Sequence, residues 1–248
     1  IPHWRDASVW GNEQLYQQIR ADEIDILVDL SGHSAGNRLA VFARKPAPIQ
    51  VTAWGYITGT GLDTMDYMFA DEDTVLPSEE QWFSETIVRL PRIVCYWPTD
   101  PSLVGPVMPP PCLKNGYITY GVLNRLGKLK LGTIELWARI LKAVPNAKLI
   151  VKSMGMEHSE IALMVQQRFE QFGTNLAQLQ FRGSSDSVQQ QQVYNEIDVC
   201  LDPWPDGGGV STLEALWMGV PSVTMPYRQI ASRLTTSFQK ELGLPWLS

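Results

Sequence analysis

The stretch Leu201-Asp202-Pro203-Trp204-Pro205-Asp206-Gly207-Gly208-Gly209-Val210-Ser211-Thr212-Leu213-Glu214 assembles the residue types that hold a phosphate. An apolar, strand-like run ends at Leu201-Asp202, three glycines follow at Gly207, Gly208 and Gly209, and a helical pattern opens at Ser211. Free N–H groups and the positive end of a helix dipole attract anions, and glycines let a ligand approach the backbone closely. The hydroxyls of Ser211 and Thr212 add donors. No Gly-Lys-Ser/Thr follows, so this is not a Walker loop. The same residues have a second reading. Ser211-x-x-Glu214 is a capping box, in which the two side chains satisfy backbone N–H groups, and three glycines also suit a tight turn. The spacing is compatible with both.

Three further groups follow apolar runs. Asn124-Arg125-Leu126-Gly127-Lys128-Leu129-Lys130 comes directly after residues 117–123. There Lys128 is placed to neutralise a leaving diphosphate, since stabilisation of developing charge is often the largest catalytic contribution. The plain alternative is a solvated loop. Ser31-Gly32-His33-Ser34-Ala35-Gly36-Asn37-Arg38 follows residues 24–30. The chain has three histidines, His3, His33 and His158. A lone histidine is more often structural than catalytic, and His158, beside Glu157, reads as surface at a helix entry. Lastly, Pro46 to Tyr56, with Gly59-Thr60-Gly61 and Met65-Asp66-Tyr67 after it, sets aromatics beside glycines. Such a segment lines a sugar or peptide cleft or packs as core under a loop, and the local pattern favours core.

Each group needs a strand to end beneath it. Residues 24–30, 117–123, 148–151 and 197–201 are short, branched and nearly continuous in apolar character, as expected for parallel strands covered on both faces. Between them, Ile134, Trp137, Ile140, Leu141 and Val144 recur at helical spacing, with Glu135, Arg139 and Lys142 facing outward, until Pro145-Asn146 stops the helix. Further helices are expected over 159–172 and 211–219. The strand–helix alternation predicts an α/β fold with right-handed crossovers. Residues 97–112 carry six prolines and read as a linker. It separates an N-terminal lobe, residues 1–104, from a C-terminal lobe, residues 112–248. The first lobe reads as incomplete, with one convincing βα unit and then irregular, aromatic-rich sequence. The run Gln189–Gln192 reads as a polar helix face.

Composition narrows the classes. A chain of 248 residues with 44% hydrophobic content buries a core, or two smaller ones. A net charge of −6 disfavours a nucleic-acid partner. Cys95, Cys112 and Cys200 show no close spacing, so neither a disulfide framework nor a zinc site is expected, and Cys200, inside an apolar run, reads as a buried thiol. No stretch reaches the roughly 18 apolar residues of a membrane span, and no signal peptide opens the chain, so a cytoplasmic, membrane-free protein is expected. The start at Ile1, without an initiator Met, reads as a fragment or processed chain.

Taken in order, DILVDLSGHSAGNRLAVFARKPAPIQV, GLDTMDY, NGYITYGVLNRLGKL, ELWARILKAVPNAKL, LEALWMGVPSVTM, ASR and GLPWL resemble the catalytic region of the O-linked N-acetylglucosamine transferases and SPINDLY proteins, glycosyltransferase family 41. The resemblance covers nearly the whole chain. It implies a GT-B fold of two Rossmann-like lobes, with the nucleotide sugar held mainly by the C-terminal one. It also implies inverting sugar transfer to protein Ser/Thr, with UDP-N-acetylglucosamine as the preferred donor substrate, and no cofactor or required metal. A tetratricopeptide array usually precedes the region and selects protein acceptors. That array, the start of the first lobe with its early histidine, and the usual last helices have no counterpart here.

Residue by residue, the resemblance puts Lys128 on the essential lysine at the donor diphosphate and Asn124 on an asparagine just before it. Gly208, Gly209, Val210, Ser211 and Thr212 fall in the phosphate loop, Glu214 on the acidic residue near the ribose, and Ser185 in the segment near the base. His3, assigned a catalytic part, His33 and Tyr56 fall on the cleft side of the opposite lobe. On this reading the bare backbone at 207–209 is a diphosphate seat. The chain departs from the family pattern in places. Gly207, Gly209 and Val210 replace an asparagine and two hydroxyls. Arg125 stands for Asn or Gln, Ser184–Ser187 lacks a Lys and a His of animal members, and Ile57 replaces a proline. These changes leave base and sugar open, another UDP-hexose or GDP-fucose included. Two other readings remain: a degenerate, non-catalytic nucleotide-sugar-binding or protein-interaction module, and another GT-B enzyme such as a nucleotide-sugar epimerase.

Overall fold

The structure is a computed structural model that describes residues 3–93, 96 and 104–248. The chain divides into two compact units, Ile1–Cys95 and Tyr96–Ser248.

The first unit contains α1 (Asn12–Ala21), β1 (Ile26–Asp29), α2 (Leu39–Phe42), β2 (Ile49–Thr52), β3 (Tyr67–Ala70) and β4 (Thr86–Arg89). The strands form one parallel sheet in the order β1-β2-β3-β4. This corrects the expectation of a single βα unit followed by irregular sequence. Three strands escaped because each is only four residues long, and β2 also carries polar residues into the interior. Gln50, in the middle of β2, is fully buried, and its Nε2 donates to the Phe42 and Thr64 carbonyls at 2.9 and 2.8 Å. The core reading of this segment holds for Val51 and Ala53, which are buried, while Trp54 and Tyr56 reach the surface.

Asp29 ends β1 and organises the loop behind it. Its carboxylate accepts the Ser31 and Gly32 amides at 3.1 and 2.9 Å and the Thr52 hydroxyl at 3.1 Å. The loop then locks against residues 54–56. A Cβ on Gly55 would lie 1.4 Å from the Leu30 carbonyl oxygen, and one on Gly32, at φ +48°, would lie 2.5 Å from the Tyr56 side chain.

In the second unit the described residues begin with Tyr96 and then irregular backbone at 104–111. Asn195 pins it, accepting the Met108 amide at 3.1 Å and donating to the Pro106 carbonyl at 3.1 Å. Of the expected linker, 97–103 lies outside the described residues, and Cys112 already belongs to a helix. The elements are α3 (Cys112–Asn115), β5 (Thr119–Leu123), α4 (Leu131–Ala143), β6 (Lys148–Lys152), α5 (Ser159–Gln171), β7 (Leu179–Arg182), α6 (Ser187–Gln192), β8 (Val199–Leu201), α7 (Val210–Trp217), β9 (Ser222–Val223) and α8 (Ile230–Glu241). The strands are parallel and ordered β7-β6-β5-β8-β9.

Alternation along the strands feeds two cores, one on each face of the sheet. Val122, Leu149, Val151 and Leu201 pack with Ile134, Trp137 and Leu141 of α4 and Val165 and Phe169 of α5. Leu123, Ile150 and Cys200 pack with Tyr194, Ile197, Ala215 and Met218. Helix α7 stops at Gly219, whose φ of +73° costs a glycine little, and Pro221 cannot continue it.

The polar-face reading of Gln189–Gln192 holds for the helix but not for Gln191, which is buried and donates to the Tyr96 hydroxyl at 2.9 Å. Cys200 is buried and its thiol pKa is pushed up by burial, Cys112 is half-buried, and Cys95 lies outside the described residues. Among the described residues no helix is long and apolar enough to cross a membrane.

Candidate functional site

Sheet order reverses between β5 and β8, which are neighbours and lead to opposite edges. In open α/β sheets this switch point opens a crevice beyond the carboxyl ends of the strands. The segments entering it are residues 124–130 behind β5 and 202–212 behind β8.

Two side chains from the first segment, and one from the start of α4, stitch the second in place. Lys128 Nζ donates to the Gly207 carbonyl, Lys130 pairs with Asp206, and the Thr133 hydroxyl donates to the Trp204 carbonyl. Across the crevice, Ser211 Oγ donates to Asn124 Oδ1 at 3.4 Å. Asn124, Lys128, Gly207, Gly208, Gly209 and Ser211 are thereby brought together, with exposed Arg125 beside them. Lys128 is half-buried, and burial lowers its ammonium pKa. Asp202 and Asp206 oppose that shift, and the like charge of Arg125 adds to it.

The glycines divide into two kinds. A Cβ on Gly208 would meet Thr212 Oγ1 at 1.9 Å and Asp202 Oδ1 at 2.5 Å, and one on Gly207 would meet the Ala231 carbonyl oxygen at 3.1 Å. Both are bare because the protein closes on them. Only Gly209 faces open space, with nothing within 4 Å of its would-be Cβ. The Gly208 amide is already donated inward, to Asp202 Oδ1 at 2.7 Å.

The capping box does not form. Helix α7 starts one residue early, at Val210, with Gly209 as N-cap and no side-chain cap. Ser211 is therefore inside the first turn, and its hydroxyl turns to Asn124 instead. The Thr212 and Leu213 amides both donate to the Gly209 carbonyl, at 3.1 and 3.2 Å, which leaves the amides of Val210 and Ser211 at the open helix end. Thr212 is turned inward: it is 3% exposed, with its hydroxyl 3.4 Å from both Asp202 Oδ1 and Thr235 Oγ1. Glu214 is half-buried and faces Tyr194, whose hydroxyl lies 3.1 Å from Glu214 Oε2 and 2.9 Å from the Ser211 carbonyl. Burial raises the Glu214 pKa, against the pull of the Tyr194 and Gln190 hydrogen bonds.

Ser185 is exposed beyond β7 and makes no described contact with this group. Its neighbour Ser184 is held by Glu157, which accepts the Ser184 amide at 3.1 Å. His3, His33 and Tyr56 belong to the first unit. His3 is exposed, and His33 stands edge-on to Tyr56 with centroids 5.8 Å apart.

Sequence reasoning passed over Asp202 and Tyr194. A carboxylate closing a buried strand was the available signal for Asp202, and β1 repeats it with Asp29. Tyr194 carried no such signal.

Comparison with known proteins places the chain among relatives. The model of glycosyl transferase family 41 matches residues 5–96 and 111–248. A Petunia hybrida protein named probable UDP-N-acetylglucosamine–peptide N-acetylglucosaminyltransferase SPINDLY is 38% identical over 247 residues, which is 97% of this chain and 26% of that protein. The Arabidopsis thaliana protein of the same name is 37% identical over 250 residues, again 97% of this chain and 26% of the relative. Among solved structures, a mutant O-GlcNAc transferase of Thermobaculum terrenum superposes with a TM-score of 0.90 at 36% identity, covering 98% of this chain and 46% of that one. The two parallel, helix-flanked sheets are thus of the expected GT-B type. The chain spans about a quarter of the length of the curated relatives it matches.

Proposed function

This chain belongs to glycosyltransferase family 41, and on that premise we propose that it contributes the donor site of an inverting protein O-GlcNAc transferase acting on Ser/Thr with UDP-N-acetylglucosamine. The observation that carries the reading is the convergence of Lys128 on the Gly207–Ser211 segment at the sheet's switch point. The diphosphate lies against the Val210 and Ser211 amides at the positive end of α7, with the Lys128 ammonium opposite and Arg125 in reach. Glu214 takes the ribose hydroxyls, and the loops bearing Ser185 flank the base. The acceptor hydroxyl attacks the anomeric carbon on the face away from the diphosphate. A carbon–oxygen bond forms, the acceptor hydroxyl gives up its proton to solvent, the bond to the nucleotide breaks, and its electron pair settles on the diphosphate. Lys128 stabilises that charge in a site of reduced dielectric, without a metal. His3, His33 and Tyr56 serve the acceptor side. A tetratricopeptide array ahead of this region selects protein acceptors, in a cytoplasmic, membrane-free enzyme with no cofactor.

A second reading, a non-catalytic nucleotide-sugar-binding module, is favoured by the hydroxyl-poor loop: Gly209 and Val210 bring none, and Thr212 points inward. Sugar transfer to a protein acceptor, measured by mass spectrometry, separates the two. Lys128→Ala is expected to lower the rate about 100- to 1000-fold, the usual loss when one oxyanion donor is removed. A rate near wild type refutes the role of Lys128. Binding without transfer by the intact protein selects the second reading. A thermal-shift panel of UDP, GDP and their sugars identifies the base, because a ligand of the folded state raises the melting temperature.

A further inference from the structure

The reaction above leaves the carboxylate just beyond β8 without a role. Asp202 Oδ1 accepts the Gly208 amide at 2.7 Å and lies 3.4 Å from the Thr212 hydroxyl. Its Oδ2 accepts the Thr224 hydroxyl at 2.9 Å and the Thr235 hydroxyl at 2.6 Å. The four donors come from the glycine loop, the first turn of α7, the residue after β9 and helix α8. The loop is wound around this group: an added Cβ would lie 2.5 Å from Oδ1 at Gly208 and 3.2 Å from Oδ2 at Gly207. The charged groups facing Lys128 are Arg125 from its own turn and Asp202 and Asp206 from the β8 loop.

Resting on the donor-site reading above, we propose that Asp202 is the positioning residue of that site. It fixes the loop that offers the Gly207 carbonyl to Lys128 and the open amides to the diphosphate, and its charge keeps Lys128 an ammonium. Burial works to strip that proton, and Asp202 works against burial. Burial raises the Asp202 pKa, and the hydrogen bonds from Thr235, Thr224 and Gly208, with the Lys128 cation, pull it back toward the ionised form.

The test is UDP affinity by calorimetry across pH, in wild type, Asp202→Asn, Lys128→Ala and the double variant. Wild-type affinity is expected to fall at alkaline pH as Lys128 loses its proton. Asparagine keeps an oxygen for the Gly208 amide and offers its NH2 to the Thr224 and Thr235 hydroxyls, so the fold survives while the charge goes. The alkaline limb then moves to lower pH, because the charge that raises the Lys128 pKa is gone. That movement vanishes in the Lys128→Ala background. An unmoved limb in folded Asp202→Asn, or an equal effect without Lys128, overturns the proposal. Should Asp202→Asn not fold, Thr235→Val removes a single donor to Oδ2. UDP affinity then falls about fivefold, one ordinary hydrogen bond, and unchanged affinity overturns the proposal. Wild type that binds neither UDP nor GDP at any pH overturns the donor-site reading and this inference with it. That outcome is distinct from binding whose alkaline limb ignores Asp202.

Discussion

Replacing Gly208 by alanine tests the geometry of the loop without reference to any ligand. The added carbon would lie 1.9 Å from Thr212 Oγ1, 2.5 Å from Asp202 Oδ1 and 3.2 Å from Thr212 Cβ. Neither neighbour yields cheaply. Thr212 is buried in α7 with Thr235 behind it, and Asp202 is held from four elements. Overpacking a full interior costs about 1–3 kcal/mol. Pushing the carboxylate away also weakens its bond from the Gly208 amide, a charge-assisted contact of about 1.5–3 kcal/mol. The sum, about 2.5–6 kcal/mol, is a large part of the roughly 5–15 kcal/mol that holds a domain folded. Gly209→Ala is the internal control. Its Cβ meets nothing within 4 Å, so the cost is the N-cap preference alone, about 1 kcal/mol. Urea unfolding read by tryptophan fluorescence gives both values from the midpoints and slopes. The reasoning fails if Gly208→Ala stays within about 0.5 kcal/mol of wild type, or if the two variants cost the same.

Two further outcomes follow from the same structure. Burial raises the Glu214 pKa, so the side chain ionises at higher pH than a free carboxylate does. UDP affinity should therefore fall as pH drops through that raised value, and Glu214→Gln should abolish this acid limb in a calorimetric titration. Trp137, 3% exposed, anchors the core between α4 and the sheet and is not among the side chains that contact the glycine loop. Trp137→Ala should cost about 3–5 kcal/mol in chemical unfolding while UDP affinity per folded molecule stays unchanged.

Strands β5, β6 and β8 and helices α4, α5 and α7 were legible because each is covered by neighbours. Continuous apolar runs and 3.6-residue periodicity are the local imprint of that burial. The two loops that meet at the switch point were legible for a related reason: a strand that ends in Asn-Arg or Asp-Pro must put those groups at its carboxyl edge. Strands β2, β3, β4 and β7 were not legible, because four residues carry too little period and their parallel partners lie far along the chain. Two-residue β9 has no signature at all. Helix α8 was missed although seven of its residues are buried, because most of them are polar.

Residue types and their order, then, settled the fold class, the family and the two loops that meet. They did not settle direction. Ser211 and Thr212 are adjacent hydroxyls, yet one turns to Asn124 and the other to Asp202, because helix α8 supplies Thr235 on one side only. Three glycines in a row look alike, yet two are closed upon by a carboxylate, a hydroxyl and the backbone of α8, and one is open. Which side of a residue is occupied depends on elements that arrive from elsewhere in the chain, and only packing in three dimensions sets that.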